Sequence, residues 1–128
     1  MRAIDTNVLV RVLVGDDPIQ RASAEAFIRA EGPVWISHVV LVETIWVLES
    51  VYDQKKPQLV EALARILDNR ELAVADPGVA RAALEHFQAK GKTDFGDCLI
   101  LEIARKAGHL PLATFDKALA KAAGAQQL

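Results

Sequence analysis

A chain of 128 residues with 52% hydrophobic and 25% charged side chains can fill the core of one domain, so it reads as globular rather than disordered. Fifteen Lys and Arg against seventeen Asp and Glu leave a net charge of -2, so the chain has no broadly basic surface for holding nucleic acid by charge alone. The only cysteine, Cys98, excludes an internal disulfide, and with no leader-like or membrane-length apolar run the expected location is the cytoplasm.

In chain order, Arg2-Ala3-Ile4-Asp5 reads as a short strand, and Thr6-Asn7-Val8-Leu9 opens a helix. Asp5 is then either the cap of that helix or a carboxylate presented at the carboxyl end of a strand. Pro18, after Asp16-Asp17, starts a second helix that Gly32 stops. Val34-Trp35-Ile36-Ser37 forms the next strand, and Ser37 caps a helix whose stretch from Val39 to Leu48 is almost wholly apolar. Glu43 stands in that stretch, with Val39, Val40, Trp46 and Val47 at helical spacing around it. A carboxylate buried there needs a partner, a proton or an opening onto a polar cleft. Trp35, Trp46, Tyr52 and Phe87 are expected in the core.

Pro57 begins another helix, Leu72-Ala73-Val74-Ala75 a third strand, and Pro77 after Asp76 the helix that ends before Gly91. Asp94 precedes a helix that Gly108 stops, and Asp97 follows one turn later, leading into Cys98-Leu99-Ile100. Asp94 is as readily a cap as a site residue, whereas Asp97 inside the helix points to function. Leu112-Ala113-Thr114-Phe115 is a fourth strand, and Asp116 after it repeats the arrangement of Asp5. Ala125-Gln126-Gln127-Leu128 leaves little room for a fifth. Alternating strands and helices define an α/β protein with a mainly parallel sheet.

His38, His86 and His109 stand apart from one another and from Cys98, so no zinc spacing is present, and neither a serine elbow nor a phosphate loop occurs. The chemistry is therefore sought among the carboxylates. Four of them in one cleft repel, since two unit charges 4 Å apart cost about 4 kcal/mol at an effective dielectric of 20, and a cation or a raised pKa is needed to relieve it. Hard oxygen ligands of this type suit Mg²⁺.

Taken together, Asp5-Thr6-Asn7, Glu43 in an apolar helix after Ser37, Asp97 in Gly-Asp-Cys-Leu-Ile and Asp116 in Thr-Phe-Asp resemble the acidic motifs of the PIN-domain family, in particular the short toxins of the VapBC toxin–antitoxin type. The resemblance runs to about Lys121, with Cys98 where alanine is more usual. It implies a single domain over residues 1–128: a three-layer α/β sandwich on a mainly parallel sheet of four to five strands in the order 3-2-1-4-5. It also implies an endoribonuclease dependent on Mg²⁺ or Mn²⁺ that hydrolyses RNA with activated water, a small antitoxin partner and a homodimer. Asp5, Asp97 and Asp116 are then metal ligands, directly or through water, and Glu43 stands with them as the group that orients water or acts as base. Thr114 and Asn7 support the ligands; Thr6 and Asp94 either join the site or only start helices. Lys92 and Lys117 are the expected phosphate contacts, and Lys55-Lys56 and Arg105-Lys106 are solvated faces. Two other readings stay open, a PIN nuclease of RNA maturation and a non-enzymatic receiver-like or binding domain.

Overall fold

The computed structural model describes residues 1–128, and the chain divides into two compact units, Met1–Pro77 and Gly78–Leu128. Both are built of parallel strands and helices, as the alternation of strand and helix signals predicts.

In the first unit, β1 (Arg2–Ala3), β2 (Val34–Ile36) and β3 (Leu72–Val74) form a parallel sheet with β2 in the middle. Parallel neighbours need long crossovers, here α1 (Thr6–Val14) with α2 (Pro18–Ala30), and α3 (His38–Ser50) with α4 (Lys56–Asp68). Period-two alternation sets the burial of β2: Val34 and Ile36 are fully buried, and Trp35 points outward. Helix starts follow local chemistry, with Asp17 and Ser37 accepting the N–H groups of Gln20 and Val40. Lys56 starts α4 one residue before the proline that predicts it, since proline fits anywhere in the first turn. Helix α1 ends at Gly15, whose left-handed backbone (φ 69°) lets its N–H return to the Arg11 carbonyl. Helix α1 packs against α2 and α3, and a His38 Nε2 hydrogen bond to the Ala75 carbonyl (2.6 Å) ties the start of α3 to the end of β3.

The expectation for α3 needs correction. Its core face is Leu41, Thr44, Ile45 and Leu48, while Val39 and Trp46 are 66% and 64% exposed and Glu43 lies on the exposed side with them. Because the helix is apolar around nearly its whole circumference, spacing alone does not reveal which face turns inward. Of the four aromatic residues assigned to the core, only Phe87 is buried; Trp35 and Trp46 are exposed, and half-buried Tyr52 donates its hydroxyl to Asp16.

In the second unit, α5 (Pro77–Gln88), all but its first residue, and α6 (Phe95–Ala107) precede β4 (Leu112–Thr114), α7 (Lys117–Ala120) and β5 (Ala125–Gln127). Phe87 of α5 meets Phe95 of α6 edge to face at 5.9 Å, and Cys98, Leu99 and Leu101 fill the buried side of α6. β4 and β5 pair in parallel, so the last four residues do hold a strand, with α7 packed on both. Of the expected order 3-2-1-4-5, the runs 3-2-1 and 4-5 are formed within the units.

Candidate active site

Asp5, Glu43, Asn7 and Thr6 belong to the first unit. Asp5 follows β1 in extended backbone and caps α1, its Oδ1 accepting the Val8 N–H at 3.1 Å. The capping role thus holds for Asp5, and it uses one of two oxygens on an exposed side chain. Thr6, in the first turn of α1, donates its hydroxyl to Glu43 Oε2 at 3.5 Å, near the long limit of a hydrogen bond. Packing of α1 on α3 thereby brings the start of α1 beside Glu43. Glu43 is exposed, so no burial penalty has to be relieved there. Asp5 and Asn7 line an open cleft of about 610 Å³ with Arg11, Gln20, Ser23 and Phe27. Sequence reading passed over the last four; Arg11, four residues after Asn7 on α1, was accessible from helical spacing.

Asp94, Asp97, Thr114 and Asp116 belong to the second. Asp94 caps α6, its Oδ1 accepting the Asp97 N–H at 2.8 Å. Asp97 sits in the first turn, half-buried, and its carboxyl holds its proton above the ordinary range, first because burial disfavours the charge and then because Asp94 and Asp116 repel it. These three acids therefore share one electrostatic neighbourhood. Asp116 caps α7, Oδ1 accepting the Leu119 N–H at 2.8 Å, while its own N–H donates to Thr114 Oγ1 at 3.0 Å. Thr114, at the end of β4, thus fixes the backbone of Asp116. Lys92 and Lys117 are exposed.

No group of three or more His, Cys, Asp or Glu side chains is drawn tightly enough together to hold a metal ion in this geometry. The donor set nevertheless fits a hard divalent cation: every donor is a carboxylate oxygen, and the like charge felt by Asp97 is what a cation relieves. No helix is long and apolar enough to cross a membrane.

The family model for the PIN domain matches residues 3–125. Neither a curated protein nor a solved structure matches the chain. The model takes in every acid described above and nearly all of both units, so this chain belongs to the PIN-domain family, whose members are generally nucleases.

Proposed function

We propose that the chain is an endoribonuclease dependent on Mg²⁺ or Mn²⁺, in which Asp5, Glu43, Asp97 and Asp116 serve one site of a single PIN domain over residues 1–128. The observation that supports this reading is the grouping of Asp97 with the two capping acids Asp94 and Asp116, because Asp97 itself caps nothing and lies half-buried where burial first and then the charges of Asp94 and Asp116 push its pKa up. When bound, the ion supplies positive charge for the phosphodiester oxygens and activates water.

The residues divide the remaining work. Asp5 and Asp116, each capping a helix through Oδ1, would hold the cation together with Asp97 in the first turn of α6. Glu43, with Oε2 engaged by Thr6, takes the proton of the attacking water at Oε1. Thr114 orients Asp116 through its backbone, Asn7 lines the cleft beside Asp5, and Asp94 sets the start of α6 and adds charge. Purified protein incubated with single-stranded RNA should cleave it with Mg²⁺ or Mn²⁺, not with EDTA, leaving 5′-phosphate and 3′-hydroxyl ends. Chelator-resistant cleavage or 2′,3′-cyclic phosphate ends contradict the mechanism.

The biological role proposed is that of the toxin in a toxin–antitoxin pair, acting in the cytoplasm and held inactive by a small antitoxin protein. Expression alone should arrest bacterial growth, and Asp5→Asn or Asp97→Asn should abolish the arrest at matched protein levels. Growth unaffected by an active enzyme favours a nuclease of RNA maturation instead. A homodimer is proposed on the exposed Val39 and Trp46 of α3, apolar surface that a monomer leaves in water.

A further inference from the structure

Phe115 has no structural employment. Of the four phenylalanines, Phe87 and Phe95 pack on each other in the core, and Phe27 lies under the Arg2 guanidinium, 4.3 Å from its ring centre. Phe115 is 80% exposed and makes no ring contact, so its side chain contributes almost nothing to folding. Its position is nevertheless fixed. Thr114 before it is held in the β4–β5 ladder, where its carbonyl accepts the Leu128 N–H at 2.9 Å. Asp116 after it is held by the Thr114 hydroxyl and by its own cap bond to Leu119. The aromatic ring is thus presented to solvent from a firm backbone, between Thr114 and Asp116 and two residues before exposed Lys117.

We infer that Phe115 is a base-stacking residue, taking a nucleobase of single-stranded RNA next to the phosphate that Asp116 serves. The inference rests on the nuclease reading of the acids. Phosphate contacts commonly dominate nucleic-acid affinity, yet this chain has a net charge of -2 and gathers acids where the phosphate must lie. A contribution to affinity beyond side-chain charge is then needed. A flat apolar ring supplies part of it, because every base has a face that can stack regardless of sequence, and exposed Lys117, two residues on, offers a cation for a neighbouring phosphate.

The test uses the full chain with Mg²⁺ and a short, labelled, single-stranded oligoribonucleotide of mixed sequence, comparing wild type with Phe115→Ala, Phe115→Leu and Phe115→Trp. Phe115→Ala and Phe115→Leu should raise KM roughly 5- to 150-fold, the range that one lost base–aromatic stack produces, with kcat little changed. Phe115→Trp should keep KM near wild type, and all four proteins should melt alike. A wild-type KM for Phe115→Ala overturns the proposal and leaves the nuclease reading intact. So does a wild-type KM for Phe115→Leu alone, which assigns the side chain to a general apolar contact with the RNA rather than to a stack. If the wild type itself cleaves no RNA under any divalent metal, the nuclease reading fails first and the inference falls with it.

Discussion

Asp94 caps the helix that carries Asp97: its Oδ1 accepts the Asp97 N–H at 2.8 Å, and the same carboxylate helps to hold the Asp97 carboxyl above its ordinary pKa. One residue thus stabilises a helix start and raises the electrostatic cost of the acid beside it. The two effects separate by substitution. Asp94→Ala loses the cap and should cost about 1 kcal/mol of stability by chemical denaturation. Asp94→Asn keeps the cap and should stay within a few tenths, while an NMR titration finds the Asp97 carboxyl moved down toward the ordinary range. Equal losses for both variants would show that the charge, not the cap bond, holds the helix start.

Asp97 makes metal-free stability depend on pH. Burial comes first among the causes of its raised pKa, with Asp94 and Asp116 after it. Between the unfolded and the raised folded value the folded state binds more protons, so this contribution is complete below the unfolded pKa and is lost as pH rises through the folded one. At neutral pH in EDTA, Asp97→Asn should be the more stable protein, by about 0.5 kcal/mol after solvent screening and the opposing helix dipole. Below the carboxylate range the advantage should vanish. Thermal unfolding across acid and neutral pH checks both signs, and a variant less stable at neutral pH makes Asp97 an ordinary helix-start acid.

Thr114→Val removes the hydroxyl that accepts the Asp116 N–H. The bond is exposed, so stability should fall by only about 0.5 kcal/mol, whereas cleavage should fall roughly 10- to 100-fold, as when the support of a metal ligand is removed. Thr114→Ser should restore both. Undiminished cleavage by Thr114→Val separates Thr114 from the site.

Thr44 offers a test of packing next to Glu43. It is fully buried, and its hydroxyl has no hydrogen-bond partner. Thr44→Val removes an unsatisfied polar atom at nearly constant shape and should stabilise the fold by about 1 kcal/mol. A destabilised variant reveals a partner for that hydroxyl in solution.

The caps show what a sequence carries and what it withholds. Asp17, Ser37 and Asp94 were legible because a cap acts within three residues, and the four strands because short apolar runs between helix signals are local too. The outward turn of Trp35 was also legible, from the alternation of Val34, Trp35 and Ile36, had period two been weighed above the size of the ring. The exposure of Glu43 was not. Both faces of α3 are apolar, and only its packing against α1 and α4 decides which one is buried. The hydrogen bonds of Thr6 to Glu43 and of Asp116 to Thr114 follow from that packing and from turn geometry, which spacing does not encode.

Thermal unfolding with and without Mn²⁺ tests most directly the proposed joint action of Asp5 and Glu43 with Asp97 and Asp116. A ligand that binds only the folded state stabilises it by about 2.7 kcal/mol at one hundred times its Kd. Asp5→Asn, Glu43→Gln, Asp97→Asn and Asp116→Asn keep shape, and asparagine preserves the caps at positions 5 and 116. Wild-type Tm should rise clearly with Mn²⁺, and each variant should lose most of that rise, whichever unit carries it. A full metal-induced rise in all four variants contradicts the joint action.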